Sequence, residues 1–341
     1  MSLIFIDGFD HYATADLTMK WTSSSGAPSI QSSAGRRSTG CLRTSDSDDG
    51  VSKTVPAVAT HYIGFALKLN ALAQGRLITL LDAGSDQCGV YLNSDGTLSF
   101  RRDTTVLSTS AAALSAGIWY YFEFSVTISD ASGAYDIKIN GVSFTSGSSV
   151  DTKSTGNATA NSIHIGYVAP ISGYAINTQI DYDDFYYCDN AGGTNNSLLG
   201  DVRIDTVLPS GNGNSSQMVG SDADSTDNYL LVDEAAQNGD SDYVESATAS
   251  NKDTYAFGDI SHTPTSIFGV QVNMIAKKDD AGARSICAVT RSGGSDTDGA
   301  TQALTTSYVC YREIRETDPN TSSAWTKTNL NNAEFGQKVA A

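Results

Sequence analysis

The clearest pattern in the chain is the run Ile118 to Ile128, IWYYFEFSVTI. It sets Trp119, Tyr121 and Glu123 on one side of a two-residue alternation and Tyr120, Phe122 and Phe124 on the other. Aromatic and β-branched residues at that period predict a strand. Weaker versions of the signal recur before and after it. Ile4–Phe5–Ile6, leading into Asp7-Gly8-Phe9-Asp10, reads as a short opening strand. His61 to Leu69, Arg76 to Asp82, Cys88 to Leu92 and Thr97 to Arg101 follow, the last two separated by the turn signal Asn93-Ser94-Asp95-Gly96. Tyr135 to Ile139 meets Asn140-Gly141, a pair suited to positive φ at both turn positions, before Val142 to Phe144 returns. Ser162 to Tyr167 and Gln179 to Cys188 complete this half, whereas Thr22 to Gly50 is polar with little periodicity.

The Gly/Asn-rich stretch from Asp189 to Leu199 marks a break. It divides the chain into a first domain, 1–190, a linker, 191–200, and a second domain, 201–341. In the second, Asp201 to Leu208, Asp242 to Glu245, Asp253 to Phe257, Ser266 to Ala276, Arg284 to Arg291 and Thr305 to Ile314 read as strands, and Ser210 to Asp227 as a long loop. Short helices are expected only from Asp233 and near Leu330 to Phe335. Many short strands with turn signals between them predict an all-β protein: an antiparallel β-sandwich, followed by a second, smaller β-rich domain.

Composition agrees, and charge removes one class of partner. Ser, Thr, Gly, Asn and Asp are abundant at the expense of strong helix formers. A net charge of −17 with only 21 basic residues in 341 excludes a nucleic-acid partner, which needs clustered Lys and Arg against phosphate. No apolar run is long enough to span a bilayer and none at the N-terminus reads as a secretory signal, so a chain made in a cytoplasm, not secreted and without a membrane partner, is expected. Five scattered cysteines, an odd number without Cys-x-x-Cys spacing, read as buried thiols.

The order of features over 1–190 resembles the laminin-G/concanavalin A-like lectin-glucanase jelly rolls. It rests on the opening strand, His61 to Leu69, Cys88-Gly89-Val90-Tyr91-Leu92, Gly117 to Glu123, the Asn-Gly hairpin and the closing Ile180-Asp181-Tyr182-Asp183-Asp184-Phe185-Tyr186. The second half resembles segments of tail and virion proteins of tailed bacteriophages. The resembling stretches include Leu199 to Ile204, Leu208-Pro209, Gly269 to Val272, Asp318 to Thr321 and Asn332 to Gly336. The first resemblance implies that closing and opening strands lie side by side. The second implies a virion structural protein, in tail, fibre or head decoration, working as a homo-oligomer with other virion proteins as partners.

Chemistry is sparse in this reading. Glycoside hydrolysis needs two carboxyl groups flanking one bond, yet Glu123 is the only glutamate in the first half, and its strand position suggests solvent or an Arg partner. His11, His61, His164 and His262 accompany no Gly-x-Ser-x-Gly elbow, so the chain is expected not to be an enzyme. If the end strands pair as the resemblance implies, Asp7, Asp10, Asp181 and Asp183, with Asp184, become candidate Ca²⁺ ligands; Asp222-Ala223-Asp224 and Asp46 to Asp49 are looser ones. Tyr167, Tyr174 and Tyr186, beside Tyr182 and Tyr187, are candidates to stack on a host surface glycan. The alternative to a virion role is thus a glycan-binding lectin supported by Ca²⁺.

Overall fold

The computed structural model describes residues 1–46, 48–166 and 178–341, and structural statements below concern those residues. The chain forms two compact units, Met1–Asp10 with Thr14–Ile204, and His11–Ala13 with Asp205–Ala341. The protein is all-β: an antiparallel sandwich followed by a smaller β-rich unit, as the alternation predicts.

The sandwich contains strands β1 (Leu3–Asp7), β2 (Ser23–Ser25), β3 (Ser29–Gln31), β4 (Cys41–Thr44), β5 (Gly50–Val58), β6 (Thr60–Leu69), β7 (Gly75–Asp82) and β8 (Ser85–Leu92). They continue as β9 (Thr97–Arg102), β10 (Thr105–Ala113), β11 (Trp119–Thr127), β12 (Gly133–Ile139), β13 (Val142–Val150), β14 (Ala160–Gly166) and β15 (Ile180–Asp189). One sheet runs β13-β12-β11-β6-β15-β4-β3, with β1 also on β15; the other runs β10-β9-β8-β7-β14-β5-β2. Closing strand therefore pairs with opening strand, Phe5 opposite Tyr187 and Asp7 opposite Phe185.

The two inner faces bury large aromatics. Phe65 stacks on Phe122 at 4.6 Å, Trp21 meets Phe5 at 5.1 Å and Phe185 at 5.4 Å, and Phe100 reaches Phe124 on the facing sheet at 5.7 Å. Burying side chains of this size supplies on the order of 1.5–3 kcal/mol each. The Asn140-Gly141 turn has φ of 51° and 78°, the left-handed pair that closes a two-residue hairpin with the right twist.

Several expectations fail for one physical reason. Strands β2, β5 and β10 are built largely from Ser, Thr, Ala and Val, and β3 and β4 are only three and four residues long, so none shows the alternation that a sequence reading needs. In the second unit, Pro209–Ser216 (PSGNGNSS) is a strand, not a loop; it is an edge strand paired only with Lys252–Phe257 and alternates half-buried with exposed small residues. Asp201 to Leu208 has strand-like alternation but forms no strand. Asp201 binds Arg36, and the Ile204 amide binds Asp184, in place of a ladder. No helix starts at Asp233; a 3₁₀ turn lies at Asn228–Leu231 instead. The expected C-terminal helix is the short Lys327–Asn331, capped by the Thr326 hydroxyl, and Glu334–Val339 is a central strand of a six-stranded sheet. The core of this unit gathers Val272, Met274, Ile286, Tyr311, Trp325 and Phe335. All five cysteines are buried thiols outside any disulfide.

Candidate functional site

The aspartates singled out on the opening and closing strands of the sandwich are structural. Asp7 is fully buried and accepts from Lys20 Nζ at 3.0 Å, Trp21 Nε1 at 2.9 Å and the Phe9 amide at 2.9 Å. Asp181 is held by Arg43 Nε at 2.7 Å and by Lys68 at 3.2 Å. Asp10 accepts from the Gly40 amide, and Asp183 from the amides of Arg36 and Asp184. Burial first, then the Asp184 charge, raises the Asp183 carboxyl above the usual carboxylate range. Among the described residues no three His, Cys, Asp or Glu side chains gather as a metal site, so strand pairing does not bring these aspartates together as one ligand set.

The glycan candidates also change. Tyr167 and Tyr174 lie outside the described residues. Tyr186 is 1% exposed, and its hydroxyl donates to Glu123 Oε1 at 2.8 Å while accepting from the Leu199 amide at 3.0 Å. Its ring cannot stack on a sugar. Glu123 does not face solvent or pair with an arginine; it is buried and also accepts from the Gly200 amide at 2.8 Å. Residues 199–204 thus lie along the outer face of the eight-stranded sheet, fixed by Glu123, Tyr186, Arg36 and Asp184.

The outer face of the other sheet carries the chemistry. Strand alternation sends Ile78, Leu80, Val90 and Phe100 into the core and turns a polar set the other way. Register places Ser52, His164, Thr79, Gly89 and Arg101 in one cross-strand row over β5, β14, β7, β8 and β9. Arg76, Tyr91, Ser99 and Thr109 form the adjacent row. Arg101 lies over the Tyr91 ring at 4.8 Å and Arg76 at 5.6 Å, so two guanidiniums bracket one phenol. Asp86 holds Arg76 through Nη2 at 2.5 Å. At Gly89 any Cβ would press on the Ile78 carbonyl at 2.6 Å and Thr79 Oγ1 at 3.2 Å, so the row stays bare between Thr79 and Arg101.

Arg76, Tyr91 and Arg101 are 2–5% exposed, and His164 and Asp86 beside them are half-buried. Burial lowers the His164 imidazole to about 4, opposed by Asp86 and assisted by Arg76. Burial likewise raises the Tyr91 phenol to about 12, partly offset by Arg76 and Arg101. At neutral pH the pair is therefore a neutral imidazole, able to accept a proton, and a protonated phenol, able to donate one. No motif in the sequence joins these residues, because each comes from a different strand. The available signal was a charged or polar residue inside each apolar strand: Arg76 in GRLITLLD, Tyr91 in CGVYL and Arg101 in LSFRR.

No family model matches the chain, and no curated protein does. Solved structures do. An endo-β-1,4-glucuronan lyase from the fungus Trichoderma reesei is similar at 13% identity over 49% of this chain and 90% of that one, with a TM-score of 0.39. Alginate lyase Aly36B is similar at 10% identity over 58% and 94%, TM-score 0.39, and the cellulose-induced protein Cip1 at 12% over 47% and 84%, TM-score 0.36. These are β-sandwich jelly rolls, consistent with the concanavalin A-like fold read from the first half, and none is a phage tail protein. Two of the three are named as glycan-degrading lyases, which corrects the expectation that the chain is not an enzyme. At such identities and TM-scores the likeness is one of fold and gives this chain no activity by itself.

Proposed function

We propose that the sandwich recognises an acidic polysaccharide on the outer face of its seven-stranded sheet. The observation that carries this reading is the pair Arg76 and Arg101 bracketing Tyr91, one row from His164, in a chain of net charge −17. The two guanidiniums give this part of the face a local positive charge, with Asp86 orienting Arg76. A sugar carboxylate entering between them would gain charge-assisted, bidentate hydrogen bonds. Neutralising that carboxylate acidifies the adjacent C–H bond. His164 is suited to take that proton while Tyr91 protonates the departing glycosidic oxygen, so that the C–O bond breaks and a C=C bond forms.

The test is incubation with acidic and neutral polysaccharides, following absorbance of unsaturated uronates. The expected result is product from acidic chains only, reduced about 100-fold or more in His164→Ala and Tyr91→Phe, the range general acid–base groups contribute. Product formation unchanged in both variants would overturn these roles. A second reading rests on the resemblance of residues 199–341 to tailed-phage tail and virion proteins. In it the chain belongs to a virion, in several copies beside other virion proteins, with the sandwich turned to host surface glycan. Antibodies against the chain would then label particles in electron micrographs; particles left bare would count against it.

A further inference from the structure

The second unit contains a loop whose chemistry the polysaccharide reading does not use. Between Arg203 and Lys252 the chain has nine acidic residues and no basic one. Asp222, Asp224 and Asp227 fall within six positions of this stretch, all exposed, in the loop between Val219–Gly220 and the 3₁₀ turn. Exposed carboxylates alone mean only a solvated loop. The neighbouring Asn228 distinguishes this one. Its side chain is fully buried, and its amide nitrogen donates to Asp253 Oδ2 at 2.6 Å and to the Met218 carbonyl at 3.1 Å. Two acceptors on the nitrogen fix which way the amide points. The opposite atom, Oδ1, is buried without a hydrogen-bond partner, a state that costs about 1–3 kcal/mol.

That oxygen turns towards the acidic loop. A Cβ built on Gly220 would lie 3.4 Å from Asn228 Oδ1 and 2.5 Å from Asp222 Oδ1, with the Leu231 side chain closing another side. An amide oxygen and a carboxylate oxygen therefore approach one point over a glycine. Asp222 Oδ1, the oxygen that faces this point, also accepts the Asp224 amide at 3.3 Å, and Asp224 Oδ1 accepts the Thr226 amide at 2.7 Å; each is a carboxylate oxygen with a further lone pair for a ligand. Oxygen donors of mixed carboxylate and amide type, in a loop without a competing cation, suit a hard divalent ion; backbone carbonyls and water complete its shell. The set holds only two carboxylates beside the amide, in keeping with the absence of any three-carboxylate cluster among the described residues.

We infer that Asp222, Asp224 and the buried Asn228 Oδ1 form a Ca²⁺ site in the second unit, independent of the sandwich face. A site with so few charged ligands belongs to the weak class, with Kd on the order of 0.1–1 mM. The experiment is calorimetric titration of the full chain with CaCl₂ after chelator treatment. One saturable site in that range is expected, weakened at least tenfold in Asp222→Asn/Asp224→Asn and unchanged in the control Asp279→Asn. Should the double variant fail to fold, Tb³⁺ luminescence of the wild type, excited through Tyr229 beside the loop and quenched by Ca²⁺, decides. Absence of saturable binding, or binding retained in a folded double variant, would overturn the assignment.

Discussion

Single residues show how burial sets charge in this sandwich. His61 is fully enclosed; its Nε2 donates to the Val58 carbonyl at 2.9 Å, so its Nδ1 accepts from the Tyr187 hydroxyl at 3.1 Å. Burial lowers it to about 4. Between pH 6.5 and 4 the unfolded chain binds a proton here that the folded chain refuses, so this residue's contribution to stability is complete above pH 6.5 and is lost as pH falls through the window. The loss is on the order of 3 kcal/mol. Asp183 acts oppositely: its raised carboxyl binds a proton in the folded state first, which favours folding as pH falls. Comparing wild type with His61→Gln separates the two, because Asp183 is common to both. Urea unfolding at pH 7 and 4.5 should show a smaller acid loss in the variant, and an equal loss would show that His61 is protonated in the fold. None of this was legible in the sequence, where a histidine before Tyr62 and Ile63 is one strand residue among many.

At the scale of elements, legibility followed side-chain size. The run Ile118 to Ile128 became β11, Trp119–Thr127, and both Asn-containing turns closed hairpins, since large alternating side chains and φ-positive turn residues leave a local signal. Strands such as Thr105–Ala113 and Pro209–Ser216 left none, because they lie at sheet edges and their small residues have little to bury. Gly64 shows the same dependence on packing inside a strong strand. A Cβ there would collide with the Tyr186 ring, which is buried and tied to Glu123. Gly64→Ala should therefore destabilise the sandwich by about 1–3 kcal/mol, as overpacking does. Gly84→Ala, at a turn where a Cβ meets nothing but φ is 86°, should lose about 1 kcal/mol through backbone strain alone. Thermal denaturation that ranks the two the other way would show that Tyr186 moves freely.

The whole molecule explains why the candidate site stayed hidden. Arg76, Tyr91, Arg101 and His164 span almost ninety positions and meet only because β14 inserts between β5 and β7, beside the β7–β8–β9 meander. The aspartates near the termini, which do stand out in the sequence, are consumed by Lys20, Arg43, Lys68 and backbone amides that only the fold supplies. An acidic chain that sets two arginines around one tyrosine directs attention to a carboxylate ligand in spite of its net charge, and salt should weaken that binding. The most direct test is calorimetric titration of the wild-type chain and Arg101→Ala with a soluble polyuronate and with the same polymer after reduction of its carboxyl groups. Binding to the polyuronate alone, weakened about 10- to 100-fold by the substitution, is the predicted result. Equal binding to both polymers, or none to either, would contradict recognition of acidic polysaccharide by this face.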